Sequence, residues 1–167
     1  MPNKPVYFGI AVTGEFENDR HAGVFMAGSQ MTGLVRNDGT LVWHDAVGKS
    51  PSMFAFGDFS GEGRMQAMGF GYEDGIRCYD TATGKVQWHI AAPASGGFAG
   101  TASGDINSDG RDEALLAASD TLYCYACSKD GAAGQLLWNL KFPAPIGPPA
   151  IVDIGGPGTM AVLVVGQ

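Results

Sequence analysis

Short apolar runs separated by turn residues follow one another along the whole chain, and no segment has the periodicity of an amphipathic helix. The eight clearest runs lie at 52–59, 65–72, 76–79, 85–90, 100–106, 113–118, 121–125 and 135–140. Each run has the length of a strand, is rich in aromatic or aliphatic residues, and is bounded by Gly, Asp, Asn or Ser. The pattern predicts an all-β protein built from short strands and tight turns.

The predicted strands fall into groups of four that repeat about every 45 residues. An acidic, glycine-rich stretch recurs once in each group, and its four copies begin at Gly14, Gly57, Gly104 and Val152. Tryptophan keeps the same period, at Trp43, Trp88 and Trp138. Because two independent markers share one period, chance does not explain the repetition. Four strands in a unit of this length are typical of a β-propeller blade.

We therefore predict one β-propeller segment, residues 1–167, made of about three and a half four-stranded antiparallel blades. The blades are expected at 6–46, 50–92 and 98–142, with half a blade at 148–167. Propellers close with roughly 4–8 blades. We expect an open ring, completed either by missing residues of a longer polypeptide, which we favour, or by self-association with a partner copy.

The composition excludes some classes of binding partner and bears on the cellular location. The hydrophobic share of 45% excludes a disordered chain, and the net charge of −7 argues against nucleic acid or an anionic membrane as a partner. No run of about 18 apolar residues predicts a transmembrane helix. The N-terminus does not have the apolar run of a signal peptide. A cytoplasmic protein and a chain whose leader has been removed both stay open.

The three cysteines cannot all pair within the chain. Cys124 and Cys127 form a Cys-x-x-Cys, a spacing that can indicate redox or metal chemistry. They lie on a predicted strand, however, where residues three apart point to opposite faces. Cys78 and Cys124 occupy equivalent positions of neighbouring units, and packed sheets stand about 10 Å apart, too far for a disulfide. We interpret all three as buried or incidental thiols.

The third acidic stretch carries oxygen donors at alternate positions, with a glycine where the backbone must turn. Asp105, Asn107 and Asp109 converge on one point if the chain curls after them, and Glu113 closes the ring from the far side. Calcium takes roughly 6–8 oxygen ligands, so this donor set suits it. An EF-hand would require an acidic residue at loop position twelve, where this chain has Leu116. The EF-hand interpretation therefore fails.

Two family resemblances meet in each repeat. The motif Asp-x-Asn-x-Asp-Gly-x-x-Glu at 105–113 resembles the calcium loop of FG-GAP or VCBS-type propeller repeats. The motif Asp-x-x-Thr-Gly-Lys-x-x-Trp at 80–88 resembles the tryptophan-docking motif of PQQ-like (quinoprotein-type) propeller repeats, with looser versions at 37–43 and 130–138. Together these resemblances imply a calcium-binding repeat protein. They also imply that the repeat tryptophans pack between neighbouring sheets.

By this resemblance, calcium is the expected cofactor of the third loop. Its ligands would be the side chains of Asp105, Asn107, Asp109 and Glu113 and the backbone carbonyl of Arg111. Weaker sites are expected in the second loop, with Asp58, Ser60 and Glu62, and in the first loop, with Glu15, Glu17 and Asp19. The closing position holds Gln66 in the second loop and Gly23 in the first. The fourth loop keeps only Asp153, for which we favour a plain turn.

The motifs explain folding and metal binding without requiring catalysis. We expect a calcium-stabilised β-propeller scaffold or binding module, part of a larger protein, with a carbohydrate or protein ligand and an extracellular or periplasmic location. The alternatives are a fragment of a polysaccharide lyase of the rhamnogalacturonan type and, ranked lowest, a quinoprotein dehydrogenase. Cationic and basic candidates for a lyase exist at Arg20, Arg64, Lys85, His89 and Arg111, but no spacing singles out a catalytic constellation.

Overall fold

The computed structural model describes residues 8–16, 21–28, 31–45, 51–71, 75–92, 97–128, 130–155 and 160–166. Fourteen strands and no helix occur in these ranges. Consequently, the described residues contain no helix that is long and apolar enough to cross a membrane. The prediction of an all-β chain is confirmed.

Each of the first three sheets consists of four strands that are consecutive in the chain and antiparallel. The first sheet contains β1 (Phe8–Glu15), β2 (Ala22–Gly28), β3 (Thr32–Arg36) and β4 (Leu41–Asp45). The second contains β5 (Met53–Gly57), β6 (Gln66–Gly71), β7 (Gly75–Asp80) and β8 (Val86–Ile90). The third contains β9 (Phe98–Gly104), β10 (Glu113–Ala118), β11 (Thr121–Cys127) and β12 (Gly134–Lys141). Short turns connect β3 to β4 and β7 to β8, as expected for up-and-down sheets.

A two-stranded sheet follows, made of β13 (Ala150–Asp153) and β14 (Met160–Leu163). The antiparallel bridge between Ile146 and Gly166 extends its ladder beyond the named strands. Three complete blades and half of a fourth are therefore present in the described residues.

Apolar side chains from neighbouring sheets form the core, because both faces of an inner blade are covered. Between the first and second sheets, Phe25 is fully buried and meets Phe54 and Phe56 edge-on, with ring centroids 5.2 and 5.1 Å apart. Aromatic contacts of this geometry add about 0.5–1.5 kcal/mol beyond the area they bury. A second cluster joins the second and third sheets, and a third joins the third sheet to the half blade.

Hydrogen bonds also join the inner strands of the second and third sheets. The Thr101 hydroxyl donates to the Phe54 carbonyl at 2.8 Å, and the Ser103 hydroxyl donates to the Phe56 carbonyl at 2.6 Å. These bonds fix the position of β9 along β5.

Two of the repeat tryptophans pack between sheets as the resemblance implies. Trp43 lies against Gly84 of the second sheet, and its indole N–H donates to the Thr81 carbonyl at 2.7 Å. Trp88 lies against Gly134 of the third sheet and donates to the Cys127 sulfur at 3.2 Å. Trp138 differs: it is 37% exposed, because no described residue covers its outer strand as the next sheet covers the others.

The cysteines are free and buried. Cys124 belongs to the cluster on the half-blade side of the third sheet, whereas Cys127 belongs to the cluster on the opposite side. Burial raises the pKa of Cys124 to about 12, so its thiol stays protonated. This placement matches the interpretation that Cys-x-x-Cys here is not a redox pair.

The tryptophan contact predicts a difference between two glycines with similar backbone angles. Gly84 (φ 72°) and Gly39 (φ 86°) each stand four residues before a repeat tryptophan. An added Cβ would lie 2.4 Å from the Trp43 ring at Gly84, and within 4 Å of nothing at Gly39. Because a residue with a Cβ disfavours the left-handed conformation, each Gly→Ala change should lower the unfolding free energy by about 1–2 kcal/mol. Only Gly84→Ala should lose roughly 1–3 kcal/mol more, through overpacking.

Urea denaturation of the two variants measures this difference directly, and Gly39→Ala serves as the control for the backbone term. Equal losses of unfolding free energy in the two variants would refute a tight contact between Trp43 and Gly84.

Candidate metal centre

The third acidic loop connects β9 to β10, and the equivalent second loop connects β5 to β6. Left-handed residues stand at matching places in both: Ser108 (φ 61°) and Gly110 (φ 84°) in the third loop, and Gly61 and Gly63 (both φ 73°) in the second. The two loops therefore curl in the same way.

The first carboxylate of each loop receives the backbone N–H groups of that loop. Asp105 accepts from the N–H of Asp109 at 3.0 Å and from that of Gly110 at 2.9 Å. Asp58 accepts from Glu62 at 3.0 Å and from Gly63 at 2.6 Å. This aspartate thus organises the turn itself, a common use of Asp in tight loops.

The Asn107 side chain contacts two carboxylates of the third loop, those of Glu113 and Asp109. The Asn107 amide nitrogen donates to Glu113 Oε1 at 3.0 Å and to Asp109 Oδ2 at 3.3 Å, while its oxygen accepts from the Asp109 N–H at 2.8 Å. Glu113 Oε2 accepts from the Ile106 N–H at 3.1 Å. The predicted side-chain donors Asp105, Asn107, Asp109 and Glu113 thus lie on one connected network.

Glu113 is the electrostatic anomaly of this network, because only 1% of it is exposed. Desolvation raises the pKa of its carboxyl group, and the nearby charges of Asp109 and Asp105 raise the pKa further. Asp109 differs, because its hydrogen bond with Arg111 holds its pKa below the usual value. One carboxylate is thus paired with a cation, and the buried one is not.

The second loop uses a neutral side chain where the third has Glu113. Gln66 is 4% exposed; its oxygen accepts from the Ser60 N–H at 2.9 Å, and its nitrogen donates to the Gln87 oxygen at 2.7 Å. Glu62 pairs with Arg64 instead of facing Gln66. The loop is therefore closed by amide hydrogen bonds without a buried charge.

The first and fourth loops gather fewer oxygens. Glu15 is exposed at the end of β1, and Glu17 and Asp19 lie outside the described residues. In the fourth loop, Asp153 accepts from the Gly155 N–H at 2.9 Å, which is the bond of a local turn.

Within the ranges that the structure describes, no three His, Cys, Asp or Glu side chains form a group that could hold a metal ion. The third loop differs from such a group, because Asn107 occupies the space between two of its carboxylates. The oxygen and nitrogen of an amide exchange places on rotation by half a turn, so this side chain can present either atom. The donors are hard oxygens, and the residues fit a calcium ion in their chemistry.

Two residues of the third loop have roles that sequence reasoning missed. The Arg111 side chain donates to Asp109 at 2.7 Å and to the Cys127 carbonyl at 3.3 Å, which ties the loop to β11. Asp112 accepts from the Asp58 N–H at 2.8 Å and donates its own N–H to the Asp58 carbonyl at 3.0 Å. An added Cβ at Gly57 would lie 2.6 Å from the Asp112 carboxylate. The glycine before Asp58 is therefore the one feature of the sequence that indicates a close contact at this point.

Two of the candidate lyase residues are engaged in ion pairs, and one lies outside the described residues. Arg64 pairs with Glu62 and Arg111 with Asp109, each within its own loop, and Arg20 lies outside the described ranges.

No protein-family model and no curated protein sequence matches the chain. Solved structures do match it in fold. BBS1N, in a crystal structure with ARL6DN soaked with lead, superposes with a TM-score of 0.68 at 16% identity, over 98% of this chain and 48% of that one. The computationally designed Ika4 protein gives 0.64 at 12% identity, over 99% and 96%. The V. cholerae biofilm matrix protein Bap1 gives 0.54 at 17% identity, over 92% and 23%.

The chain spans about half the length of the BBS1N chains that it resembles. At identities of 12–17% these likenesses show the fold and nothing further. Together with the sheet order, they show that the chain has the fold of a partial β-propeller of about three and a half blades.

Proposed function

We propose that this chain is a calcium-stabilised β-propeller scaffold, part of a larger protein, that binds a protein or carbohydrate ligand. The observation that carries the calcium assignment is the buried carboxylate of Glu113. The β-propeller fold by itself hosts many unrelated functions, so the proposal has to rest on the loop.

A buried carboxylate is costly unless a cation or several hydrogen bonds compensate it. Glu113 accepts one bond from the Ile106 N–H and one from Asn107. The charge of the Arg111 guanidinium lowers the pKa of Glu113 in part, but this guanidinium donates its hydrogen bonds to Asp109 and to the Cys127 carbonyl. A divalent cation would supply the missing positive charge.

The residues that would hold calcium are Asp105, Asn107, Asp109 and Glu113 through side-chain oxygens and Arg111 through its backbone carbonyl. When bound, the ion supplies fixed positive charge at a strand-to-strand connection. It stabilises the folded chain by mass action, since the unfolded chain does not bring these donors together. Its role is structural, and no catalytic step is assigned to it.

The second loop supports this assignment by contrast. It has the same backbone curl and the same first aspartate, yet Gln66 replaces the buried acid. Because the neutral amide satisfies the second loop without a cation, we expect the site of Asp58, Ser60 and Glu62 to be weak or absent. We expect the same of Glu15, Glu17 and Asp19, because the closing position of the first loop holds Gly23, which has no side-chain oxygen.

The resemblance to FG-GAP or VCBS-type and PQQ-like repeats supports an extracellular or periplasmic location. Extracellular calcium-binding modules have Kd values of about 10⁻⁴–10⁻³ M for calcium, which suit such compartments. BBS1N was solved in complex with ARL6DN, so at least one protein of this fold binds a protein partner. That observation favours a protein ligand over a carbohydrate for this chain.

Calcium should raise the melting temperature of chelator-treated protein. Saturation at about a hundredfold excess over Kd contributes roughly 2.7 kcal/mol, or about 5–10 °C for a domain of this size. Glu113→Gln, which copies the second loop, should fold without metal and lose this response. Gln66→Glu should gain a second response. Differential scanning calorimetry with calcium, magnesium and chelator measures all three.

Retention of the full calcium shift in Glu113→Gln would refute the site. So would the absence of any shift in the wild-type chain up to about 10 mM calcium, which is above the affinity range of extracellular modules.

The raised pKa of Glu113 predicts an unusual pH dependence in the absence of calcium. The folded chain holds this proton more tightly than the unfolded chain, whose glutamate titrates near the ordinary 4.5. The unfolding free energy of the wild type should therefore fall, relative to Glu113→Gln, as the pH rises through the ordinary value and then the raised one. Urea denaturation of both proteins in chelator at about pH 4 and about pH 7 measures this.

The other acidic groups are common to both proteins and cancel in the difference. A difference in unfolding free energy that is the same at both pH values would contradict a raised pKa at Glu113.

A further inference from the structure

We propose that Cys78 and Cys127 form a disulfide bond that links the second and third sheets when the chain folds in an oxidising compartment. The oxidant is a small disulfide such as glutathione disulfide. Neither thiol belongs to the donors of the candidate metal centre, so the proposal does not depend on calcium.

The two cysteines lie in the same interface between sheets. Cys78 is on β7, and Cys127 is the last residue of β11. Their exposed fractions are 0% and 1%, and both belong to the cluster that joins the second and third sheets. Cys124 is buried on the opposite side of the third sheet, in the cluster with the half blade. Of the three possible pairs, only Cys78 and Cys127 therefore share an interface.

The two sulfurs already interact in the reduced chain. The thiols of Cys78 and Cys127 are hydrogen-bonded to each other. The Trp88 indole N–H donates to the Cys127 sulfur at 3.2 Å, and Trp88 is itself the cross-strand partner of Cys78. One tryptophan thus touches the environment of both cysteines. A disulfide requires a further approach of two sulfurs that are already neighbours.

A glycine brings the two sheets close together at this point. Packed sheets stand about 10 Å apart on average, which is too far for a disulfide. Gly134 is the register partner of Cys127, and an added Cβ on it would lie 2.3 Å from the Trp88 ring. With no side chain between them, β12 approaches β8 closely, and its neighbour β11 follows. This local approach is why the thiol of Cys127 meets that of Cys78.

Formation of the bond is a thiol–disulfide exchange in two steps. The thiolate of one cysteine attacks a sulfur of glutathione disulfide and releases the first glutathione. The thiolate of the other cysteine then attacks the protein sulfur of this mixed disulfide and releases the second glutathione. The two protein thiols lose two electrons in total and pass their protons to the two released thiolates. Glutathione disulfide is thereby reduced to two molecules of glutathione.

Burial determines when this exchange takes place. The hydrogen bond to Cys127 and burial raise the pKa of Cys78, so its thiol keeps its proton in the folded, reduced chain. Both sulfurs are also shielded from glutathione disulfide. Oxidation therefore accompanies folding, before the interface closes. The same burial then protects the finished bond from reductants. Structural disulfides of this kind are typical of proteins outside the cytosol.

Oxidative refolding of the full chain tests the pairing. The reduced protein is unfolded in urea, refolded in chelator with a mixture of reduced and oxidised glutathione, alkylated, and mapped by mass spectrometry. Trypsin releases the peptide 78–85, and chymotrypsin cuts after Tyr125, which separates Cys124 from Cys127. We expect one main disulfide, between Cys78 and Cys127, with Cys124 alkylated.

The same oxidation in concentrated urea is the control, because an unfolded chain pairs its cysteines by loop length and not by the fold. The share of the Cys124–Cys127 pair should rise there. A refolded chain without a disulfide, or with a main disulfide that includes Cys124, would overturn the proposal. So would a share of the Cys78–Cys127 pair that is no higher after refolding than in urea.

Thermal melting in chelator supplies a second measurement. The bond closes a loop of about 50 residues, so the oxidised chain should melt roughly 5–15 °C above the reduced chain. Cys78→Ala and Cys127→Ala should each lose this difference. Because it compares the oxidised and reduced forms of one variant, the cost of the substitution itself cancels.

Cys124→Ala is the matched control for the melting experiment, since it removes a thiol that is equally buried. It should keep the full difference between the oxidised and reduced forms. Loss of that difference in Cys124→Ala, or its retention in Cys78→Ala, would overturn the proposal. Because every arm contains chelator, these outcomes are separate from those that test the calcium site.

Discussion

Contact between neighbouring sheets is the constraint on which the rest of this structure depends. A single four-stranded sheet has two apolar faces and cannot bury either alone. Each sheet here therefore requires the next one. Phe25 packs into the second sheet. Trp43 reaches Gly84 in the β7–β8 turn, and Trp88 reaches Gly134 at the start of β12. Repetition of one contact sets the spacing of the blades. It also explains why the tryptophan and the glycine recur with the same period.

The acidic loops show how one backbone design can serve with and without a buried charge. Asp58 and Asp105 receive the same pair of backbone N–H groups, so the turn forms by hydrogen bonding in both loops. The loops differ at the closing residue, where Gln66 is neutral and Glu113 is a buried acid. That single difference changes the electrostatics of the loop. It makes the third loop the one where a cation has the most to contribute.

The same packing rule accounts for the exposed end of the array. Trp138 has the position that the buried Trp88 has in the second sheet, yet Trp138 and its neighbour Leu140 remain in contact with water. Exposed apolar side chains at such positions are unfavourable for an isolated domain.

Local spacing in the sequence was sufficient to predict the strands and their grouping by four, and it singled out the oxygen-bearing side chains of the third loop, whose binding of calcium stays a prediction. These features depend on residues close in the chain, such as the alternate oxygens of 105–113. Only the tertiary structure decided which side chains are buried. It placed Glu113 in the interior, turned Arg111 onto Asp109, linked Asp112 to Asp58 of the preceding sheet and left Trp138 exposed. The physical reason is that burial, and bonds such as the one between Asp58 and Asp112, depend on contacts with a neighbouring sheet whose residues lie far away in the chain.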